Sequence, residues 1–190
     1  MIMRSNMYGM INRFLQQLII KEYGREHWNK IADETNLSTL FFMAVKQYPD
    51  SITYEIVQSA SKILDIKVTD LLYLAGERWV DYTLETEFSY VYNIFGNDLF
   101  TFLKNLDNLH LNIGNVMPEL KPPSFKSTDI TTNSLKLHYY SDRVGLHPFV
   151  EGLIVGLAEH FNQSVQVQLV APKSTNNDHD IFLVKLKTKD

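Results

Sequence analysis

The sequence predicts a mixed α/β fold of the α+β kind. A helical N-terminal subdomain precedes a C-terminal subdomain in which helices pack on a small antiparallel sheet. Three observations predict it. Up to residue 116, apolar residues recur every three or four positions, the period of a helix with one buried face. After Pro123, apolar and polar residues alternate, the period of a half-buried strand. From there the order is strand, strand, helix, strand, strand, which folds as an antiparallel sheet with a helix packed on it. A chain of 190 residues that is 45% hydrophobic can bury a sizeable core as one domain or two joined subdomains.

Residues 1–6 read as an N-terminal extension, 7–68 as the helical subdomain, 69–187 as the α/β subdomain and 188–190 as a tail. Ile11, Phe14, Leu15, Leu18 and Ile19 form the face of the first helix, and Trp28 and Ile31 begin a second. Asp50-Ser51-Ile52-Thr53 starts a third helix, carrying Ile56, Val57 and Ala60. Thr69-Asp70-Leu71 caps the next, which carries Leu72, Leu74, Ala75 and Trp79. The internal boundary falls near residues 65–75. Residues 97–116 form the clearest helix, with Leu99, Phe102, Leu103, Leu106, Leu109, His110 and Ile113 on one stripe. Asp98 favours its start, and Pro118 with Pro122-Pro123 ends it. Strands follow at 125–131 and 134–143, with Asn133-Ser134 as the tight connection. Pro148 opens a helix with Phe149, Leu153, Val155, Leu157 and Phe161. Strands at 164–171 and 181–187 flank the polar loop 173–180.

Composition excludes several functions. Cysteine is absent, which removes disulfides, zinc–thiolate sites, iron–sulfur clusters and thiolate-ligated haem. A formal net charge of -4 argues against a general nucleic-acid binder. No segment approaches the roughly 20 apolar residues that span a bilayer, and the opening is too short for a signal peptide. A cytoplasmic protein with no membrane partner is expected. Eleven Phe and ten Tyr fit either a large core or a site for a flat apolar ligand.

Two segments carry chemistry. In the 134–143 strand, alternation puts Leu135, Leu137, Tyr139, Ser141 and Arg143 on one face. Two apolar residues give way to a phenol, a hydroxyl and a guanidinium, donors suited to a carboxylate pair or a phosphate. A half-buried strand whose end emerges into water has the same pattern. His110 is the one histidine on a long apolar helical face. A neutral imidazole there is either a core residue with one hydrogen bond or an axial ligand to haem iron. Zinc is disfavoured because no further ligand is spaced with it. His138 and Asp142 alternate away from Ser141, so a Ser-His-Asp hydrolase is poorly supported. Gly152 and Gly156 suit close packing of a helix.

Taken together, these residues resemble the haem nitric oxide/oxygen binding (H-NOX) family, related to the haem domain of soluble guanylate cyclase. Tyr139-x-Ser141-x-Arg143 has the spacing of the family's Tyr-x-Ser-x-Arg motif. The run Phe102-Leu103-Lys104-Asn105-Leu106-Asp107-Asn108-Leu109-His110, followed by Pro118 and Pro122-Pro123-Ser124-Phe125, resembles the segment holding the family's proximal histidine. Met7-Tyr8-Gly9-Met10-Ile11-Asn12 looks like the family N-terminus, and the likeness runs over residues 7–187.

The resemblance implies a four-stranded antiparallel sheet and haem b between the two subdomains. It implies that His110 ligates iron, that Tyr139, Ser141 and Arg143 hold the propionates, and that Pro123 presses on the porphyrin. Leu106 and Met7 join as haem contacts, and Phe149, Trp79 and Phe14 as the distal pocket. Members that hold oxygen place a tyrosine where this chain has Phe149, which has no donor. A charge-assisted hydrogen bond of that kind is worth about 1.5–3 kcal/mol. The expectation is a non-enzymatic sensor of nitric oxide and carbon monoxide without a stable oxygen complex. It would be a stand-alone bacterial protein signalling by conformational change to a histidine kinase or cyclic-di-GMP enzyme in trans. The alternatives are a haem or small-ligand carrier, a hydrolase using the same cleft, and a haem-free interaction domain.

Overall fold

The computed structural model describes residues 6–37, 41–86, 89–116 and 121–187. The chain divides into two compact units, 1–75 and 76–190. The division falls inside a helix rather than ahead of it.

In the first unit, β1 (Asn6–Tyr8) pairs antiparallel with β2 (Gln47–Pro49), Met7 facing Tyr48. Helices α1 (Gly9–Tyr23), α2 (Arg25–Glu34) and α3 (Asp50–Leu64) pack together, and α4 (Val68–Leu84) begins here. Helix α1 buries Phe14, Leu15, Leu18 and Ile19, the stripe its spacing predicts. It stops at Gly24, whose φ of 92° suits a residue without a Cβ. Thr53 on α3 donates to the buried Asn12 Oδ1 on α1 at 2.6 Å, which pairs the hydroxyl and the amide oxygen away from water. Gly9 is required where it stands. A Cβ there would lie 2.2 Å from the Met43 carbonyl oxygen. The β1–β2 pair was not predicted, because three-residue strands leave too short a period to read.

In the second unit, α5 (Val91–Phe95) and α6 (Leu99–Val116) precede the sheet. Strands β3 (Ser124–Thr128), β4 (Ser134–Tyr140), β5 (Val165–Ala171) and β6 (Asp180–Leu186) form one antiparallel sheet in the order β3-β4-β6-β5. Helix α7 (His147–His160) connects β4 to β5. Registers Phe125↔Tyr139, Leu137↔Phe182 and Leu135↔Val184 put these six side chains on the core face. Leu99, Leu103 and Leu106 of α6 and Val150, Ile154 and Leu157 of α7 complete that core. The α+β class and the sheet are therefore those expected.

Two predicted strands are shorter than expected. β3 ends at Thr128, where Asp129 turns left-handed at φ 49° and the amide of Thr131 donates to the Ser134 carbonyl at 2.8 Å. β4 ends at Tyr140, so Ser141 and Arg143 do not continue the row of Leu135, Leu137 and Tyr139. The Arg143 amide donates to Ser141 Oγ at 3.2 Å, a local turn that competes with the ladder. Pro118, residues 1–5 and the tail 188–190 lie outside the described residues.

Helices α4 and α7 meet through glycines. A Cβ on Gly76 would lie 2.1 Å from the Phe149 carbonyl oxygen, and one on Gly156 would lie 2.6 Å from that of Glu77. Gly114 on α6 has open space in that direction. Gly156→Ala should therefore cost about 1–3 kcal/mol through forced separation of the helices. Gly114→Ala should stabilise by about 0.5–1 kcal/mol through helix propensity. Urea unfolding of the two variants checks both signs.

Candidate functional site

The site is built from α6 outward. Asp98 ahead of the helix accepts from the Thr101 amide at 2.9 Å and the Thr101 hydroxyl at 2.6 Å, satisfying its first turn. Three turns on, His110 stands on the apolar stripe after Leu106, itself only 5% exposed. The buried Nδ1 of His110 has no hydrogen-bond partner. Burial pushes the imidazole pKa down to about 4, against a smaller opposing pull from the Asp107 carboxylate. At neutral pH the ring is uncharged and retains a lone pair for a metal.

A stack on Phe125 fixes that ring. The Phe125 side chain stacks on it, with centroids 5.4 Å apart and planes at 22°. Phe125 in turn leans on Tyr139 of β4 at 5.3 Å. Asp107, one turn before His110, holds β3 in place. Its Oδ1 accepts from the Ser124 hydroxyl at 2.8 Å and from the Phe125 amide at 3.1 Å. Pro123 is partly exposed and immediately precedes this clamped pair. Asp107 and Phe125 were not singled out in the sequence. The available signal was a carboxylate three residues before His110, hence on the same side of α6.

Tyr139 is 5% exposed on the core face. Ser141 and Arg143 lie past the strand end. The Ser141 carbonyl accepts from Lys173 Nζ at 2.6 Å, and Arg143 Nη1 donates to the Lys121 carbonyl at 3.4 Å. Arg143 thus adjoins the chain just before Pro122-Pro123. Trp79 on α4 and Phe149 on α7 come together edge to face at 6.3 Å, with Tyr82 at 5.7 Å from Trp79. In the first unit, Phe14 is buried on α1 and Met7 is half-buried on β1.

Among the described residues no three His, Asp or Glu side chains gather to hold a bare metal ion. Haem iron has four porphyrin nitrogens already and asks the protein for one axial ligand. An unpartnered neutral imidazole in an apolar wall fits that need.

A family profile described as Haem-NO-binding matches residues 8–169. The chain belongs to the Haem-NO-binding family. That family is named for what it binds and not for a reaction. Soluble guanylate cyclase gcy-35 of Caenorhabditis elegans is 29% identical over 94% of this chain, a stretch that is 27% of that protein. The chain thus spans about a quarter of the length of such relatives. An H-NOX protein from S. oneidensis in the Fe(II) state superposes with a TM-score of 0.87, at 22% identity, covering 97% of this chain and 98% of that one. An oxygen-binding H-NOX domain in its oxygen complex gives 0.80, at 18% identity and 96% of each chain. At these identities the structures establish the Haem-NO-binding fold. No helix among the described residues is long and apolar enough to cross a membrane.

Asp107→Ala should remove both bonds to β3 and cost about 1–3 kcal/mol, whereas Asp107→Asn keeps an acceptor oxygen and should cost less. Chemical unfolding of the haem-free chain compares them. The lowered His110 pKa also sets a pH dependence. Its contribution is complete above the ordinary value of 6.5 and is lost as pH falls toward about 4. Over that window the haem-free chain should lose up to about 3 kcal/mol more stability than His110→Leu, measured by urea unfolding at stepped pH.

Proposed function

We propose that the chain is a haem-based sensor of nitric oxide, with carbon monoxide as a second ligand and no stable oxygen complex. The observation that carries this reading is His110, neutral at physiological pH, with an unpaired buried nitrogen and a ring stacked on Phe125. In this reading His110 holds the iron of haem b. Tyr139, Ser141 and Arg143 hold its carboxylates, and Leu106 and Pro123 lie along it. The family resemblance adds Met7 as a haem contact and Phe14 as part of the distal pocket. Ferrous haem, when bound, supplies an open coordination position for a diatomic gas.

Selectivity is assigned to Phe149 and Trp79. The likeness to an oxygen-binding domain leaves the fold neutral between gases. The ring of Phe149 offers no hydroxyl, and it packs on Trp79 in an apolar cluster. Polarised oxygen gains from a donor, worth about 1.5–3 kcal/mol, and nitric oxide depends on it far less.

Signal output is assigned to the route from His110 through Asp107 and Phe125 into β3. A displaced imidazole would disturb both the stack and the carboxylate clamp, and β3 pairs with the strand carrying Tyr139. A ligand can shift such an equilibrium only by its preference between the two arrangements. The expected recipient is a histidine kinase or cyclic-di-GMP enzyme acting in trans.

Purification with excess haem supply, followed by iron and porphyrin assay and ferrous spectra, tests the reading. Stoichiometric haem and a spectrum unchanged by brief exposure to air are expected. His110→Gly should lose the parent ferrous spectrum and regain it with added imidazole. A stable oxy spectrum in air would refute the selectivity, and an unchanged spectrum in the variant would refute the ligand.

A further inference from the structure

The loop between β5 and β6, residues 172–179, folds onto the end of β4, and two histidines join them. His138 lies on the β4 face away from the core. Its Nε2 is 2.8 Å from the Thr128 hydroxyl on β3, and its Nδ1 is 2.8 Å from Nε2 of His179 in the loop. His179 Nδ1 is 2.5 Å from Asp178 Oδ1, and its ring stacks on Tyr140 at 4.1 Å. Lys173 from the same loop donates to the Ser141 carbonyl at 2.6 Å. The loop holds itself together, with the Lys173 amide donating to Asp180 at 2.7 Å and Asn177 Nδ2 to the His179 carbonyl at 2.6 Å. It therefore grips residues 138, 140 and 141, the approach to Arg143.

Proton counting gives this relay three distinct conditions. With both rings neutral, every bond is made. Thr128 donates to His138, His138 donates through Nδ1 to His179, and His179 donates through Nδ1 to Asp178. One added proton reverses the central bond. His179 then donates from both nitrogens, and His138 turns its own N–H toward Thr128. A second proton puts N–H groups on both sides of the 2.8 Å gap, where no hydrogen bond exists and two cations face each other.

The surrounding charges oppose that second proton on balance. Lys126 of β3 and Lys136 of β4 face His138, while Asp129 in the β3–β4 turn favours its charge. Lys136 is itself paired with Asp129 at 2.7 Å. Around His179 stand Asp178, Tyr140 and, through its pull on Asp178, Lys173. Burial first, then His179 and Lys126, hold His138 below its ordinary 6.5. A depressed histidine stabilises above its ordinary value and loses that contribution as pH falls through the folded one.

We propose that the His138–His179 pair is a proton-sensitive clasp, closed with one proton or none and opened by the second, which frees the loop from Tyr140 and Ser141. It regulates the site assigned above, and rests on that reading only for what residues 139–143 hold. The direction follows from the count. Neutral and mildly alkaline conditions keep the segment before Arg143 fixed, and acid loosens it.

Imidazole nitrogen and backbone amide NMR of the full chain between pH 8 and 5 tests it. The pair should take up its two protons in separated steps. The amides of Ser141, Arg143 and Lys173 should move only with the lower step, by up to about tenfold in open population per pH unit. His179→Gln, which cannot take the proton, should abolish the amide response. Amides flat across the range, or a response intact in His179→Gln, would overturn the clasp. The wild-type titration decides alone if the variant fails to fold. In haem-loaded protein, transfer of haem to excess acceptor globin should quicken over the same range in the wild type and not in His179→Gln. Amide shifts with a flat transfer rate would overturn the regulation. A chain that takes up no haem would overturn the function proposed above, while the amide titration still decides the clasp.

Discussion

The Asp107 carboxylate is the constraint from which the rest of the second unit's site follows. One oxygen receives both the Ser124 hydroxyl and the Phe125 amide. It thereby sets where β3 begins against α6. Phe125 is then placed over His110, and the β3–β4 register carries Tyr139 to Phe125's other side. A neutral imidazole in an apolar wall would otherwise be free to rotate about two side-chain torsions. Stacking on one face and a fixed helix backbone remove most of that freedom before any ligand arrives, lowering the ordering cost of binding.

Much of this was legible in the sequence, for identifiable reasons. The faces of α1, α3 and α6 were readable because each runs four turns or more, long enough for the period to repeat. His110 stood out because a titratable ring interrupts a stripe of leucines and phenylalanine. The position of Tyr139 followed from alternation, since Leu135, Leu137 and Tyr139 share a face in a strand that is buried on one side. What failed was extension of that rule to Ser141 and Arg143. Alternation reports direction only while a strand lasts, and the Ser141 turn ends β4 at Tyr140. The β1–β2 pair and α5 were invisible because three to five residues do not establish a period. Asp107 was missed for a different reason. An acidic residue on a helix flank reads as a solvated charge, and only the tertiary approach of β3 turns it into a clamp.

The separation between fold and selectivity is a second lesson of the comparisons. An H-NOX protein in the Fe(II) state and an H-NOX domain in its oxygen complex both superpose on this chain over nearly its whole length. In the proposed reading, ligand choice is therefore left to side chains. The contact between α4 and α7 is the place to look, because Gly76 and Gly156 bring these helices together with no room for a methyl group. Trp79 and Phe149 are set by that same close approach. In the proposed reading a change of side chain there would alter pocket chemistry without altering the crossing, whereas a change of glycine would move both rings at once.

The two ends of the site differ in a way that suits one class of ligand. Around His110 the surroundings are apolar enough to keep an imidazole uncharged down to about pH 4. Past the end of β4, Arg143 and Lys173 both donate to main-chain carbonyls, those of Lys121 and Ser141. Both contacts hold cationic groups at the strand end, where in the proposed reading they face an anion. A flat apolar molecule with one metal and two carboxylates matches that division. A purely apolar ligand would match only the wall around His110, and a phosphate ester would bring charge with nothing for the imidazole. In the proposed reading the apolar wall carrying His110 and the cationic end past β4 suit the two halves of haem.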